Sequence, residues 1–184
     1  MFFKKKISLS LFIKMIADEV LKVPSYTYDD YLAIDPDSLL SPKEFEDFIG
    51  SLSSLRLLIL YAMLVDHKNK GQLKALRNNL DKTFIEALAL SYQDIVVDHD
   101  EAQRLSEGFS LELDHLRSYL TGLSEKDLAE KGFTPYACLY FTSKFAEPSE
   151  ESVKNGVYIA LINTQRKIMK EYFGKAIEKV KIID

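Results

Sequence analysis

Residues 57–65 read Leu-Leu-Ile-Leu-Tyr-Ala-Met-Leu-Val, nine apolar residues in a row inside a segment whose two ends are polar. A helix that is apolar on every face has no side to turn toward water. It must be enclosed by other helices or by a partner. The run is about half the ~20 residues needed to cross a bilayer, so it does not read as a membrane span. It predicts a central, nearly all-apolar helix at about 52–66, with the remainder of the chain wrapped around it.

What can wrap it follows from the turn residues. A chain of 184 residues with only 7 Gly and 5 Pro is built from few, long elements, hence helices and not many short strands. Its 47% hydrophobic content supplies a sizeable core. Apolar spacing predicts a first helix over 7–23, closed by Pro24. The stretch 25–40, with Tyr26, Tyr28, Tyr31 and Pro36, reads as an ordered loop with at most a short helical turn. Ser41-Pro42-Lys43-Glu44 is a helix start: a capping serine, proline at the first position and glutamate at the third. Gly50 and the serines after it predict a kink or a split. Further helices are expected over 72–97, from the Asp98 cap to Gly122, over 124–131 and from Thr134-Pro135 toward Phe145. A last helix is expected over about 150–180. The seam expected after Asp98 is Leu105, Phe109, Leu113, Leu116, Leu120 and Leu123. On the last helix the expected stripe is Val153, Val157, Leu161, Thr164, Ile168, Tyr172, Ala176 and Val180. The centres 84–90, 136–141 and 157–162 read as apolar on nearly every face. The expectation is an all-α, single-domain bundle over 1–184, with about six or seven helices.

Charge and motifs narrow the function classes. With 28 acidic and 24 basic residues the net charge is −4, which gives no pull toward nucleic acid. There is no glycine-rich phosphate loop, no Gly-x-Ser-x-Gly and no zinc-finger spacing. The N-terminus has Phe2, Phe3 and Lys4, Lys5, Lys6 before an apolar stretch, as a signal peptide does. However, Lys14 interrupts that stretch and Asp18 and Glu19 follow it, so it reads as a first amphipathic helix. A cytoplasmic location and no transmembrane segment are expected. The single cysteine, Cys138, precludes an internal disulfide.

The candidate chemistry is thin. Glu112 and His115 form a Glu-x-x-His pair that could share a metal on one helix face, but a di-metal bundle needs a second pair and further carboxylates. The pair therefore reads as flanking a core seam and facing water. His67 and His99 have local explanations at helix ends. Cys138, inside Tyr-Ala-Cys-Leu-Tyr-Phe, reads as a small buried hydrophobe and not as a nucleophile. Lys68, Lys70, Lys74 and Arg77 straddle Gly71 as a solvated helix end. Glu86 and the run Asn163-Thr164-Gln165-Arg166 could edge a small-molecule pocket if they face inward. Facing outward, they are ordinary polar stripes. No cofactor or metal is implied.

By elimination, the first reading is a non-enzymatic helical interaction or regulatory module that docks a partner protein. The second is a bundle binding a small apolar or aromatic ligand, and the third an enzyme or metal-binding bundle. The later half of the last helix carries Ile168, Tyr172, Phe173, Ile177, Val180, Ile182 and Ile183, too many for one stripe facing one core. Either a second copy or partner covers this surface, or the N-terminal segment folds over it.

Overall fold

The computed structural model describes residues 4–22, 26–69, 79–145 and 153–183. In chain order its elements are β1 (Lys5–Ser8), α1 (Leu9–Leu21), α2 (Tyr28–Ile34), α3 (Pro42–Gly50), α4 (Leu52–Asn69), α5 (Leu80–Ile95), α6 (His99–Thr121), α7 (Glu125–Lys131), α8 (Phe133–Thr142), α9 (Val153–Lys179) and β2 (Val180–Ile183). The chain is a predominantly all-α, single compact domain with one short two-stranded sheet. Nine described helices exceed the expected six or seven. One of the extra helices is α2, within the stretch read as a loop, where Thr27 and Asp30 form a reciprocal capping box. Another comes from the break after Gly50, where α3 and α4 meet at a 44° bend.

The central helix is α4. Leu57, Leu58, Ile59, Leu60 and Leu64 are completely buried. It packs against α1, α3, α8 and α9, while α1 also packs on α5, and α5 on α6. That enclosure explains why α4 needs no polar face. Among the described residues no single helix is long and apolar enough to cross a membrane.

Local signals placed the starts of α3, α6 and α7, while the first helix, expected from residue 7, begins at Leu9 because Lys5–Ser8 form β1. Ser41 accepts from the Glu44 amide, and Glu44 accepts from the Ser41 amide at 2.7 Å. Asp98 and Ser124 cap α6 and α7 through their side chains. The expected 72–97 helix is described only from Leu80, preceded by Asn79 in the left-handed region at φ 64°; residues 70–78 lie outside the described set.

Two stripes differ from expectation. On α6 the buried face is Ala102, Ser106, Phe109, Leu113, Leu116 and Leu120, and Leu105 is 40% exposed. The true repeat starts on two small residues, which an apolar count passes over. On α9 the buried residues are Tyr158, Ile162, Met169 and Phe173, while Val153, Ile168 and Tyr172 are exposed. The stripe runs through polar Gln165, whose carbonyl accepts from Arg56 Nε at 2.9 Å. Nor are the centres of α5, α8 and α9 apolar all round in effect, because Leu90, Leu139 and Ile159 reach the surface.

The chain ends meet. β1 pairs with β2 in parallel, Lys5 opposite Val180 and Ile7 opposite Ile182. Ile7 is buried, and Phe12 of α1 meets Phe173 of α9 edge-on, with ring centroids 5.8 Å apart. The N-terminal segment thus covers much of the C-terminal apolar surface within one chain. Phe2 and Phe3 lie outside the described residues.

Candidate functional site

The feature that organises the site is Asp66, in the last turn of α4. An acid near a helix C-terminus opposes the macrodipole, so it needs a partner elsewhere. Asp66 finds one at the start of α8. Its carboxylate accepts from the Phe133 amide at 2.6 Å, the Thr134 amide at 3.1 Å and the Thr134 hydroxyl at 2.7 Å. α8 itself has no side-chain cap from its preceding residue, because that residue is Gly132. Gly132 sits at φ 80°, ψ 178°, and a Cβ there would lie 2.8 Å from Asp66 Oδ1. Glycine is required twice over: by the dihedral angle and by the close approach of the carboxylate.

This joint fixes the end of α4 against the start of α8, and α9 crosses beside both. Between the three elements lies a solvent-open cleft of about 600 Å³. Its floor includes Met63, Pro135, Phe173 and Ile177, and the His67 ring packs on Phe173 with centroids 5.0 Å apart. Its rim is cationic: Arg166, Lys167 and Lys170 from α9, and Lys131 from the end of α7. Lys131 is held by Asp127 at 3.0 Å. Among the described residues no carboxylate pairs with Arg166, Lys167 or Lys170. Asp66, the one acid in the wall among the described residues, is already engaged by three donors. Arg166 and Lys170 are four residues apart and Lys167 and Lys170 three, spacings at which like charges on a helix repel by a few tenths of a kcal/mol. A negative group in the cleft would relieve that repulsion.

Arg166 also edges a smaller hollow of about 180 Å³ between α8 and α9, together with Asn163, Pro135, Cys138, Leu139 and Ile159. Burial pushes the Cys138 thiol up to about 11, so it is a neutral wall and not a thiolate. A further hollow of about 560 Å³ lies on the α7 side of Asp66, where Glu125 and Glu130 accompany Lys131. It lacks the unbalanced positive charge of the α9 cleft.

The other candidate residues are dispersed. Glu86 is exposed and faces Lys82 at 3.7 Å, on the outer side of α5. Asn163 and Arg166 line the hollows just described. Glu112 is mostly buried and pairs with Lys144, beneath the Tyr140 ring, whose hydroxyl is pushed up by burial and by Glu112 beside it. His115, one turn further along α6, is exposed, and so is His99 at the start of that helix. Among the described residues no three His, Cys, Asp or Glu side chains gather as a metal site would require. Lys70, Lys74 and Arg77 lie outside the described residues.

A second polar cluster serves packing. Tyr61 donates to Asp81 at 2.6 Å, and Arg117 meets Asp81 at 2.7 Å and Asp114 at 2.9 Å. Burial first, and then Asp81, push the Tyr61 hydroxyl up to about 12. The cluster ties α4, α5 and α6 together, away from the cleft.

The sequence reading did not single out Asp66, Lys131, Lys167 or Lys170. Two signals were present: an acid closing an apolar helix, and the run Arg166-Lys167-Ile168-Met169-Lys170, which holds no compensating carboxylate. Comparison with protein-family models, curated proteins and solved structures finds no match.

Proposed function

We propose that this protein is a cytoplasmic docking module that holds a short acidic segment of a partner protein in the cleft between α4, α8 and α9. The observation that carries this reading is the set of three cations, Arg166, Lys167 and Lys170, that meet no carboxylate among the described residues and stand over an apolar floor. Elsewhere Lys14, Lys43, Lys82, Lys126 and Lys175 each face an acid on their own helix. The span from Arg166 to Ile177 is about 16 Å at 1.5 Å rise per residue. That length takes about five residues of extended chain. Acidic side chains would meet the rim and apolar ones the floor, the division of labour usual when grooves bind peptides.

The small-ligand reading keeps one supporting observation. A volume of about 600 Å³ lies within the ~300–1,000 Å³ range of ligand pockets. Its open form and exposed rim favour a segment of chain over an enclosed small molecule.

The test is fluorescence anisotropy with a fluorescein-labelled peptide of glutamates flanking a phenylalanine, titrated at low and at physiological salt. Saturable binding that weakens with salt, and falls at least tenfold in Lys167→Glu/Lys170→Glu with unchanged circular dichroism, supports the reading. Equal binding by the double variant refutes it. Native mass spectrometry that finds a stoichiometric small organic anion transfers support to the second reading.

A further inference from the structure

The 180 Å³ hollow between α8 and α9 continues the cationic cleft. The two share Pro135 and Arg166, so Arg166 stands between them as a common wall. Their linings differ. The cleft rim is positive. The hollow is mostly apolar, with Cys138 buried in its wall and Leu139 and Ile159 at its edge, 49% and 43% exposed. Single exposed apolar residues are ordinary. Here two of them, from different helices, flank one concavity whose polar lining is Asn163, Arg166 and Thr142, the last with its hydroxyl already donated to the Cys138 carbonyl at 2.9 Å. Water in such a hollow has few partners, and an apolar side chain entering it would displace that water at a gain.

We infer that this hollow is a specificity pocket, which seats one bulky apolar side chain of the docked segment while the neighbouring acidic side chains lie on Arg166 and Lys170. The inference rests on the reading of the larger cleft as the docking site for an acidic segment. It adds what a charge match alone lacks: a rule for which acidic segments bind. The shared wall makes the two halves adjacent. A guanidinium that borders both can meet a carboxylate on one side while its stem and Pro135 contact the apolar group on the other. The recognised pattern is thus a large apolar residue directly flanked by acids. Acidic stretches without it are bound weakly.

Three labelled peptides and two variants separate the possibilities. The first peptide has a central phenylalanine flanked by two glutamates on each side, symmetric so that either chain direction suits. The second replaces the phenylalanine with alanine, and the third replaces the glutamates with lysines. The first should bind ten- to a hundredfold more tightly than the second, the effect of burying one aromatic side chain, and the third should not bind. Leu139→Asn, an uncharged change at a half-exposed position that leaves the core intact, should weaken the first peptide several-fold and leave the second unchanged. Lys170→Glu should weaken both. If Lys170→Glu acts but the first two peptides bind alike, or Leu139→Asn has no effect on the first, the specificity pocket is wrong and the acidic cleft stands. If Lys170→Glu has no effect on the first peptide, or that peptide shows no saturable binding, both readings fall.

Discussion

Asp66 and Gly132 show how two single residues decide where the cleft lies. The carboxylate serves as a cap in trans, replacing the side-chain cap that α8 cannot draw from glycine. Asp66→Ala should lower stability by about 1–2 kcal/mol, the usual scale for a lost cap. Gly132→Ala should cost about 1–3 kcal/mol from the dihedral angle alone, with more from the 2.8 Å approach. The pair should be less than additive, because removing the carboxylate opens the space that the new methyl needs. Urea melts of both single variants and the double would show this, and strict additivity would mean that the approach is not a real constraint. Glu44 gives a pH dependence. Lys154 at 2.7 Å, and then the Ser41 hydroxyl and amide, hold its carboxyl down at about 2. A carboxyl depressed in the folded state contributes stability that is complete above its ordinary value near 4.5 and is lost as pH falls toward 2. In thermal melts, Glu44→Gln should narrow the gap in melting temperature between pH 6 and pH 2.5. An unchanged gap would show the pair to be energetically silent. The Ser41 cap and the burial of Cys138 were legible in the sequence, because both depend on residues a few positions away. The role of Asp66 was not, since its partners are 67 and 68 positions distant.

At the scale of elements, legibility followed apolar size. The central helix stood out because nearly all of its buried residues are large and apolar, Ala62 being the small one. The α6 seam was read one position off at its start, since Ala102 and Ser106 carry the buried face there and Leu105 does not. The two assignments differ in a measurable way. Leu113→Ala, at a fully packed position, should cost about 2–5 kcal/mol. Leu105→Ala should stay within about 0.5 kcal/mol, as exposed positions do. Comparable losses at both sites would restore the apolar count as the better guide. On α9 the stripe was obscured by Gln165, which is turned inward to meet Arg56, a nearly buried guanidinium that desolvation pulls down in pKa. A polar residue on a buried face breaks the period that pattern reading relies on. The same shift of phase hid the cleft, because it turns Arg166 and Lys170 toward α8 and leaves Ile168 on the outside.

For the molecule as a whole, the β1–β2 pair is the element that local periodicity had no means to reveal. Its strands have four residues each and stand at opposite ends of the chain. Seven apolar residues on the C-terminal stretch posed a choice between a second copy and the chain's own N-terminus, and the structure supplies the latter for Ile7, Phe12 and Phe173. Deleting residues 180–184 removes the parallel ladder and uncovers Ile7. Losing one such buried aliphatic contact and its hydrogen bonds costs about 1–3 kcal/mol. At roughly 2–4 °C per kcal/mol for a chain of this size, the melting temperature should drop by several degrees. Light scattering should return the monomer mass before and after truncation. A dimer that dissociates on truncation with its melting temperature unchanged would instead place the strand at an interface. The deletion also reaches the cleft, because β2 follows directly from α9, whose Phe173 and Ile177 form part of the floor. With its C-terminal turn no longer anchored, α9 should fray first at Ile177, before Arg166. The phenylalanine-bearing acidic peptide should therefore lose affinity in the truncated protein less than it does in Lys170→Glu.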